Sequence, residues 1–554
     1  MMKIPGVLLL ILVLVLSGCK NSSELPPSSE PIQESTAIPT SAQPLATATT
    51  PTETPLPVEE ELSATEGATE TPAQDNTVVP TEQTPMSPSL FPGSWDDRDI
   101  YLSGVIPDES AVLNELPGAT VYHMTIDITD PTLVTGKMEA RYTNREDVAL
   151  EELVLHLFAP SLGGGIDLSD IRLDGKTAES QIEGGILRVK LEAPLEPGEQ
   201  VVLSLDFTTS VPGEESTKYK VLAFDQNILA LAHFYPMFAV FDDEGWHDEP
   251  AADHGDETFA DMSFYLVQVD ARADQVIAAT GVDVGGEGSS NFKRVIFAAG
   301  PVRDFYLAAS NDYGVLQKQV GPVLLNSYAP SDLMDGAQIA LEVAARALES
   351  FSERYGPYPY SELDVVSTPT DALGIEYPGI FANAVRIYEL SGSSSTGMPN
   401  ATLLESTTAH ETGHQWFYNL VGNDQLNEPW LDEATTQYAT WQYYIDSYGE
   451  QNAQGYYDSL EGRWGRVNFE EIPIGLPAED YSGAEYGAIV YGRGPIFLNE
   501  LAERMGQDVF DAFMRDYVDQ YRWQIAYADD FMRLAEEHCN CDLSELFNEE
   551  VFGK

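Results

Sequence analysis

The 554-residue chain has three cysteines, Cys19, Cys539 and Cys541, too few for a fold stapled by disulfides or for a metal centre of four thiolates. Basic residues are scarce as well: 28 Lys and Arg stand against 90 Asp and Glu, a formal charge of −62. So acidic a surface repels phosphate backbones and anionic lipid headgroups, which argues against nucleic acid as a partner and favours solubility. The apolar run Ile4–Leu16 is too short to span a bilayer. Between Lys20 and Leu90 there is no aromatic residue, and Pro, Thr, Ser, Ala and Glu dominate, so this stretch cannot bury enough apolar area to offset the entropy of ordering.

Lys3, the apolar run and then Leu16-Ser17-Gly18-Cys19 read as an export signal ending in a small-residue cleavage site. The last four residues resemble the lipobox of bacterial lipoproteins. That resemblance implies loss of residues 1–18, a lipid on Cys19, attachment to a bacterial membrane in the cell envelope, and a folded part outside the cytoplasm. Residues 19–94 are then expected to be a tether; a flexible chain of that length reaches about 45 Å, and prolines and like charges extend it. The tether carries Lys20 against eleven acids and Lys3 adds one positive charge, so a charge of about −53 belongs to the rest of the chain. The remaining length suits two domains.

What the chain does have is His410-Glu411-Thr412-Gly413-His414, followed after eighteen residues by Glu433. Four helical positions bring a side chain round to the same face, so His410 and His414 can hold one metal ion. Glu411 lies off the ligand axis, beside the open coordination position, where a general base belongs. Glu433, from a second helix, would complete a site of two imidazoles and one carboxylate suited to Zn²⁺, one per chain. Periodicity predicts a helix from an Asn400 N-cap through Leu403, Leu404, Thr407, Thr408 and Phe417 to a stop at Gly422. A second helix is predicted from about Glu428 to Tyr448, its core stripe being Trp430, Ala434, Tyr438, Trp441 and Ile445.

His410-Glu411-Thr412-Gly413-His414-Gln415-Trp416-Phe417, then Trp430-Leu431-Asp432-Glu433 at that gap, resemble the zinc aminopeptidases of the aminopeptidase N and leukotriene hydrolase type. Thermolysin-type enzymes are similar, with a gap one residue longer. The resemblance implies peptide substrates and further site residues. Gly374-Ile375-Glu376-Tyr377 resembles the family's Gly-x-Met-Glu-Asn segment, an extended edge that pairs with the substrate backbone while its glutamate binds the free α-amine; Leu373, Ile375 and Tyr377 replace the Gly, Met and Asn. The β-domain residue that completes the family's amine pocket has no assignment from sequence. Tyr491-Gly492-Arg493-Gly494 resembles Tyr-x-Lys-Gly, whose tyrosine donates to the oxyanion, with Tyr486 as the alternative.

The fold class is expected to be α+β and multidomain. Period-two alternation at Val121–Ile128, Leu153–Leu157, Ile186–Leu191, Val201–Phe207, Phe264–Val269 and Val295–Ala299 predicts a β-rich, saddle- or sandwich-like domain over residues 95–311. The family has such a domain, and Tyr235-Pro236-Met237, Gly245-Trp246, His254-Gly255-Asp256 and Val302-Arg303-Asp304-Phe305 resemble its landmarks. Residues 312–554 are expected to form a thermolysin-like catalytic domain: strands at Val323–Tyr328 and Leu363–Ser367 flank a helix near Asp335–Tyr355, and the chain is helical after Glu433. The acidic loop Asp242–Asp261 offers carboxylates at short spacing that could coordinate calcium, but it lacks an EF-hand register, and a solvated loop is the favoured reading. Cys539 and Cys541, one residue apart, are expected to be a structurally minor pair for which a disulfide is geometrically awkward. Two other readings remain: an endopeptidase on the same fold, and a non-catalytic surface binding protein, against which the retained Glu411 argues.

Overall fold

The computed structural model describes residues 89–554 apart from 94, 214 and 215, all within a compact unit running from Glu82 to Lys554. The export signal at 1–18, Cys19 and the tether as far as residue 88 lie outside the described residues. The end of the expected tether packs on the body: Ser89 Oγ and Leu90 N donate to Glu139 Oε2 at 2.9 and 3.0 Å, and the Phe91 ring meets His123 edge-on. Phe91 is where apolar area returns to the sequence.

The alternating stretches form strands. An eight-stranded sheet runs, in spatial order, Val282–Gly288, Phe292–Val302, Ser263–Arg272, Thr120–Asp127, Leu133–Thr143, Gln200–Ser210, Gly165–Leu173 and Lys176–Thr177, parallel only where Thr120–Asp127 meets Ser263–Arg272. Val201, Leu203, Leu205 and Phe207 all point inward from Gln200–Ser210, as period two requires. Two four-stranded sheets, one around Leu150–His156 and Ile186–Leu195 and the other around Ile228–Leu231 and Leu307–Ser310, and a two-stranded hairpin of Phe241–Asp242 with Gly245–Trp246 complete this β-rich part.

A five-stranded sheet follows, in the order Tyr313–Val320, Val323–Pro330, Glu362–Thr368, Ile380–Ala384, Gly374–Tyr377. Its inner pairings are parallel and its edge strand Gly374–Tyr377 is antiparallel to its neighbour. The helices are α1 Met334–Tyr355, α2 Asn400–Gly413, α3 Trp430–Tyr448, α4 Glu450–Trp464, α5 Gly483–Ala488, α6 Gly494–Met505, α7 Gln507–Tyr521, α8 Ala528–Cys539 and α9 Ser544–Glu550. Ala337, Ala340, Leu341, Ala344, Leu348, Phe351 and Tyr355 recur at helical spacing on the buried face of α1. Phe351 and Tyr355 receive Trp416 and Phe417 at ring distances of 5.8 and 5.0 Å. Truncating a buried Trp such as Trp416 costs roughly 3 to 5 kcal/mol, so this contact fixes where α2 ends.

That end differs from expectation. α2 stops at Gly413, not Gly422, because Trp416 and Phe417 turn into the aromatic face of α1 and Tyr418 takes a φ of 120° that no helix tolerates. Asn400 does not cap α2: it is the first helical residue, and its Nδ2 donates to Arg386 O and Glu389 O, both at 2.8 Å. Cys539 and Cys541 are joined in a disulfide across Asn540, whose left-handed φ of 48° lets the chain double back at the end of α8. The awkwardness expected for one intervening residue is relieved by that left-handed turn, which brings the two Cα atoms to 5.1 Å.

Candidate active site

The last turn of α2 and the first turn of α3 meet in the core. His410 Nε2 lies 3.1 Å from His414 Nε2, and Glu433 Oε2 lies 3.2 and 3.5 Å from those two nitrogens. Four-coordinate zinc with arms of about 2.0–2.1 Å places its ligands roughly 3.3 Å apart, so the three atoms stand like corners of one coordination tetrahedron. His414 Nδ1 donates to Phe417 O at 3.0 Å, which leaves Nε2 as the lone-pair nitrogen toward the centre. Glu433 enters on the first turn of α3, where a carboxylate is favoured by the helix dipole.

The electrostatics call for a cation. Glu376, Glu411, Asp432 and Glu433 are all buried here, and among the described residues none is paired with a lysine or arginine. Burial works to raise the Glu433 carboxyl, and the two imidazoles overcome it and hold the group below the ordinary range. Burial, then His414, push His410 down to about 4. Burial lowers His414, but Glu376, Glu433 and Glu411 outweigh it and raise this imidazole well above its usual value. Positive charge is drawn to the point where the three ligand atoms converge, and the donor set fits a divalent ion.

Around that point stand the other residues singled out from sequence. Glu411 is 3% exposed, its Oε2 has no hydrogen-bond partner, and burial raises its carboxyl well above normal. Gly374, on the edge strand, backs directly onto Glu411. Glu376, two residues on, is 6% exposed and accepts from Gln425 Nε2 at 3.1 Å. The same edge strand is tied to the exit of α2: Gln415 Nε2 donates to Tyr377 O at 3.0 Å and Gly379 N donates to Gln415 Oε1 at 2.9 Å. Tyr491 lies in a π-helical turn, Ile489–Arg493, ahead of α6, and its hydroxyl donates to Glu433 Oε1. Tyr486 is one ring away, at 5.7 Å, with its hydroxyl against Gly255 instead.

Sequence reasoning missed several residues of the pocket. The loop 242–261 is not a solvated one throughout: Gly255, Glu257 and Thr258 are buried, and Asp256 shares a small cavity with Glu376, Tyr219, His233 and Ile375. Burial, then Glu376 and Glu433, raise the Asp256 carboxyl. Lys218, in the same cavity, pairs with Glu257 at 2.6 Å. Gln425 donates to Asp432 Oδ2 at 2.7 Å as well as to Glu376 and accepts from Thr258 Oγ1 at 3.2 Å, so one amide joins the loop, the edge strand and α3. Burial, then Glu433, push Asp432 up to about 7. The resemblance of His254-Gly255-Asp256 to a family landmark was the one signal for Asp256.

The sequence profile of the peptidase family M1 domain matches residues 339–549, which contain every ligand atom described above. The match covers this region alone and not the β-rich part before it. Aminopeptidase B of Mus musculus is 30% identical over 200 residues, covering 33% of this chain and 28% of that protein. Aminopeptidase 2 of Candida albicans is 23% identical over 270 residues, 47% of this chain and 29% of that protein. The chain therefore spans less than a third of the length of these curated relatives. Among solved structures, an M1 zinc metallopeptidase from Deinococcus radiodurans matches with a TM-score of 0.58 and 21% identity, over 76% of this chain and 89% of that one. A mutant of that enzyme bound to a Tyr-Ser-Ala substrate matches with a TM-score of 0.58 and 19% identity, over 78% of this chain and 93% of that one. The fold is shared across the β-rich part and the matched region together, and His410, His414 and Glu433 are residues of that region whose ligand atoms lie close enough to hold one metal ion.

Proposed function

We propose that this protein hydrolyses peptide bonds with zinc and removes N-terminal residues from peptides. Held by His410, His414 and Glu433, zinc would supply a Lewis acid for the scissile carbonyl and would lower the pKa of a bound water to about 7. Glu411, buried beside the ligands with one oxygen unpartnered, takes the proton of the attacking water and returns it to the leaving amine. Tyr491, whose hydroxyl already reaches Glu433, donates to the oxyanion. The edge strand Gly374–Tyr377 offers its backbone to an extended substrate, which sets register.

The observation that carries the exopeptidase reading is the enclosure of Glu376 and Asp256 in one cavity beside the metal centre. Among the described residues neither carboxylate has an ion-pair partner, whereas Glu257 has Lys218. One buried and one half-buried carboxylate at that place suit a free ammonium, each charge-assisted hydrogen bond being worth about 1.5 to 3 kcal/mol. Amino-acyl arylamides and short free peptides should be cleaved, and N-acetylated ones should be poorer by roughly tenfold to 200-fold in kcat/KM, a difference that Glu376→Ala and Asp256→Asn each reduce. Equal cleavage of blocked and free peptides at internal bonds would establish an endopeptidase instead.

We further propose that the protein is exported and held at a bacterial membrane by a lipid on Cys19. What supports this is the sequence Leu16-Ser17-Gly18-Cys19 after an apolar run, together with the fact that no helix among the described residues is long and apolar enough to cross a membrane. Cys19→Ser should release the protein from the membrane fraction or leave its signal uncleaved, with peptidase activity kept. Unchanged detergent partitioning of a normally cleaved Cys19→Ser protein would exclude lipidation.

A further inference from the structure

Arg303 and Asp304 lie on neither metal-bearing helix, yet both reach the turn that leaves α2. The Arg303 guanidinium is 3% exposed and no carboxylate pairs with it among the described residues. Its Nε donates to Tyr418 O at 2.6 Å and Asn419 O at 3.0 Å, and its Nη2 to Leu420 O at 3.4 Å and Gln524 O at 2.7 Å. Nη1 donates to Ala260 O at 2.8 Å. Asp304 accepts from the Tyr418 hydroxyl. Burying a whole charge against carbonyls alone is unfavourable compared with an apolar residue of that size, so these bonds secure a backbone geometry that would not hold itself. Tyr418 shows why: its φ of 120° is a conformation non-glycine residues rarely adopt.

The same turn grips a metal ligand. His414 Nδ1 donates to Phe417 O at 3.0 Å, and Asn419 N donates to His414 O at 3.1 Å. The carbonyl that fixes the tautomer and ring plane of His414 therefore belongs to the residue just before the strained Tyr418, and the three carbonyls after it are all held by Arg303. Gly422 supplies the space: a Cβ there would sit 2.1 Å from the Arg303 Cζ.

We infer that Arg303 and Asp304 are positioning residues for His414, acting through the turn Phe417–Leu420 to set the affinity of the metal centre. The inference rests on the zinc site of the proposed function and not on its aminopeptidase character. The test is the zinc dissociation constant of the full chain, measured by chelator competition, beside the thermal midpoint of the zinc-free form. Arg303→Lys keeps a charge and loses the fork, and Gly422→Ala displaces the guanidinium; each should weaken zinc by about tenfold, the scale of outer-shell partners. Asp304→Ala should weaken it too, while Asp304→Asn, which still accepts from the Tyr418 hydroxyl, should restore it. Leu203→Ala, in the large sheet, serves as a control that lowers the midpoint without changing zinc affinity. Folded Arg303→Lys and Asp304→Ala proteins that bind zinc like the wild type would overturn the inference. A wild-type chain that binds no zinc would overturn the metal site itself, and the two failures are distinguished by that one measurement.

Discussion

Gly374 has no side chain because Glu411 occupies the place of one: a Cβ at 374 would fall 2.3 Å from Glu411 Oε1 and 2.6 Å from its Cγ. The edge strand proposed to receive the substrate is thereby laid against the side chain proposed to activate water.

Gly374→Ala should accordingly displace Glu411 while leaving the metal ligands alone. A shift of about 1 Å in a catalytic group costs on the order of 10² in rate. Kinetics and metal analysis of the purified variant should show kcat reduced on that scale with about one zinc per chain retained.

Ligand and base separate in the same way. His414→Ala removes one of three ligands and should lose zinc and activity together. Glu411→Gln should keep zinc and lose roughly 10² to 10⁴ in rate. A Glu411→Gln enzyme with normal turnover would sink the mechanism.

Tyr491→Phe removes one hydroxyl from the π-helical turn and should lower kcat by about 10² to 10³ with little change in KM, since the donor acts on charge that develops in the transition state. Tyr486→Phe should be far milder, because its hydroxyl faces Gly255 and not Glu433. Steady-state kinetics of the two variants side by side checks the assignment.

The hairpin at 241–246 is latched to the loop before α3 by His247, which lies 2.8 Å from Asp242 Oδ2 and 3.2 Å from Glu249 Oε1, with Asp424 beside it. Glu249, against burial and together with Asp242, raises this imidazole from 6.5 to about 9, and His247 in turn holds Glu249 down at about 2 from 4.5. A raised imidazole contributes stability fully below its unfolded value and loses it as pH climbs through about 9; a depressed carboxyl contributes above its unfolded value and loses it as pH falls through about 2. The thermal midpoint of the wild type should exceed that of His247→Gln by most near pH 5 to 6, and the gap should close above about pH 9. A gap independent of pH would mean that the latch is packing and not charge.

Much of this was readable from residue order. His410 and Glu433 lie on two helices and His414 caps the first, so local periodicity is enough to place them, as it is for strands such as Gln200–Ser210. The stop of α2 at Gly413 was not readable, because nothing local distinguishes Trp416 and Phe417 on a helix from the same residues turned into α1; the decision is made by Phe351 and Tyr355, some sixty residues earlier. Asp256 was hidden for a related reason. In a run of acids every carboxylate looks solvated, and only the packing of Gly255 under Tyr486 shows which one turns inward. Arg303 stood in a landmark of the sequence but its role was not readable there, since its partners are backbone carbonyls and carry no side-chain signature.

The bridge between Cys539 and Cys541 bears on any metal titration of this protein. Joined to one another, the two sulfurs offer no thiolate, and they are the only cysteines among the described residues, so under oxidising conditions metal binding by the described part of the chain rests on imidazole and carboxylate groups such as His410, His414 and Glu433. A strong reductant would add a vicinal dithiol at the protein surface, able to compete for zinc, cadmium or mercury. Stoichiometries measured with and without reductant should then differ, and the lower one is free of the thiols' contribution.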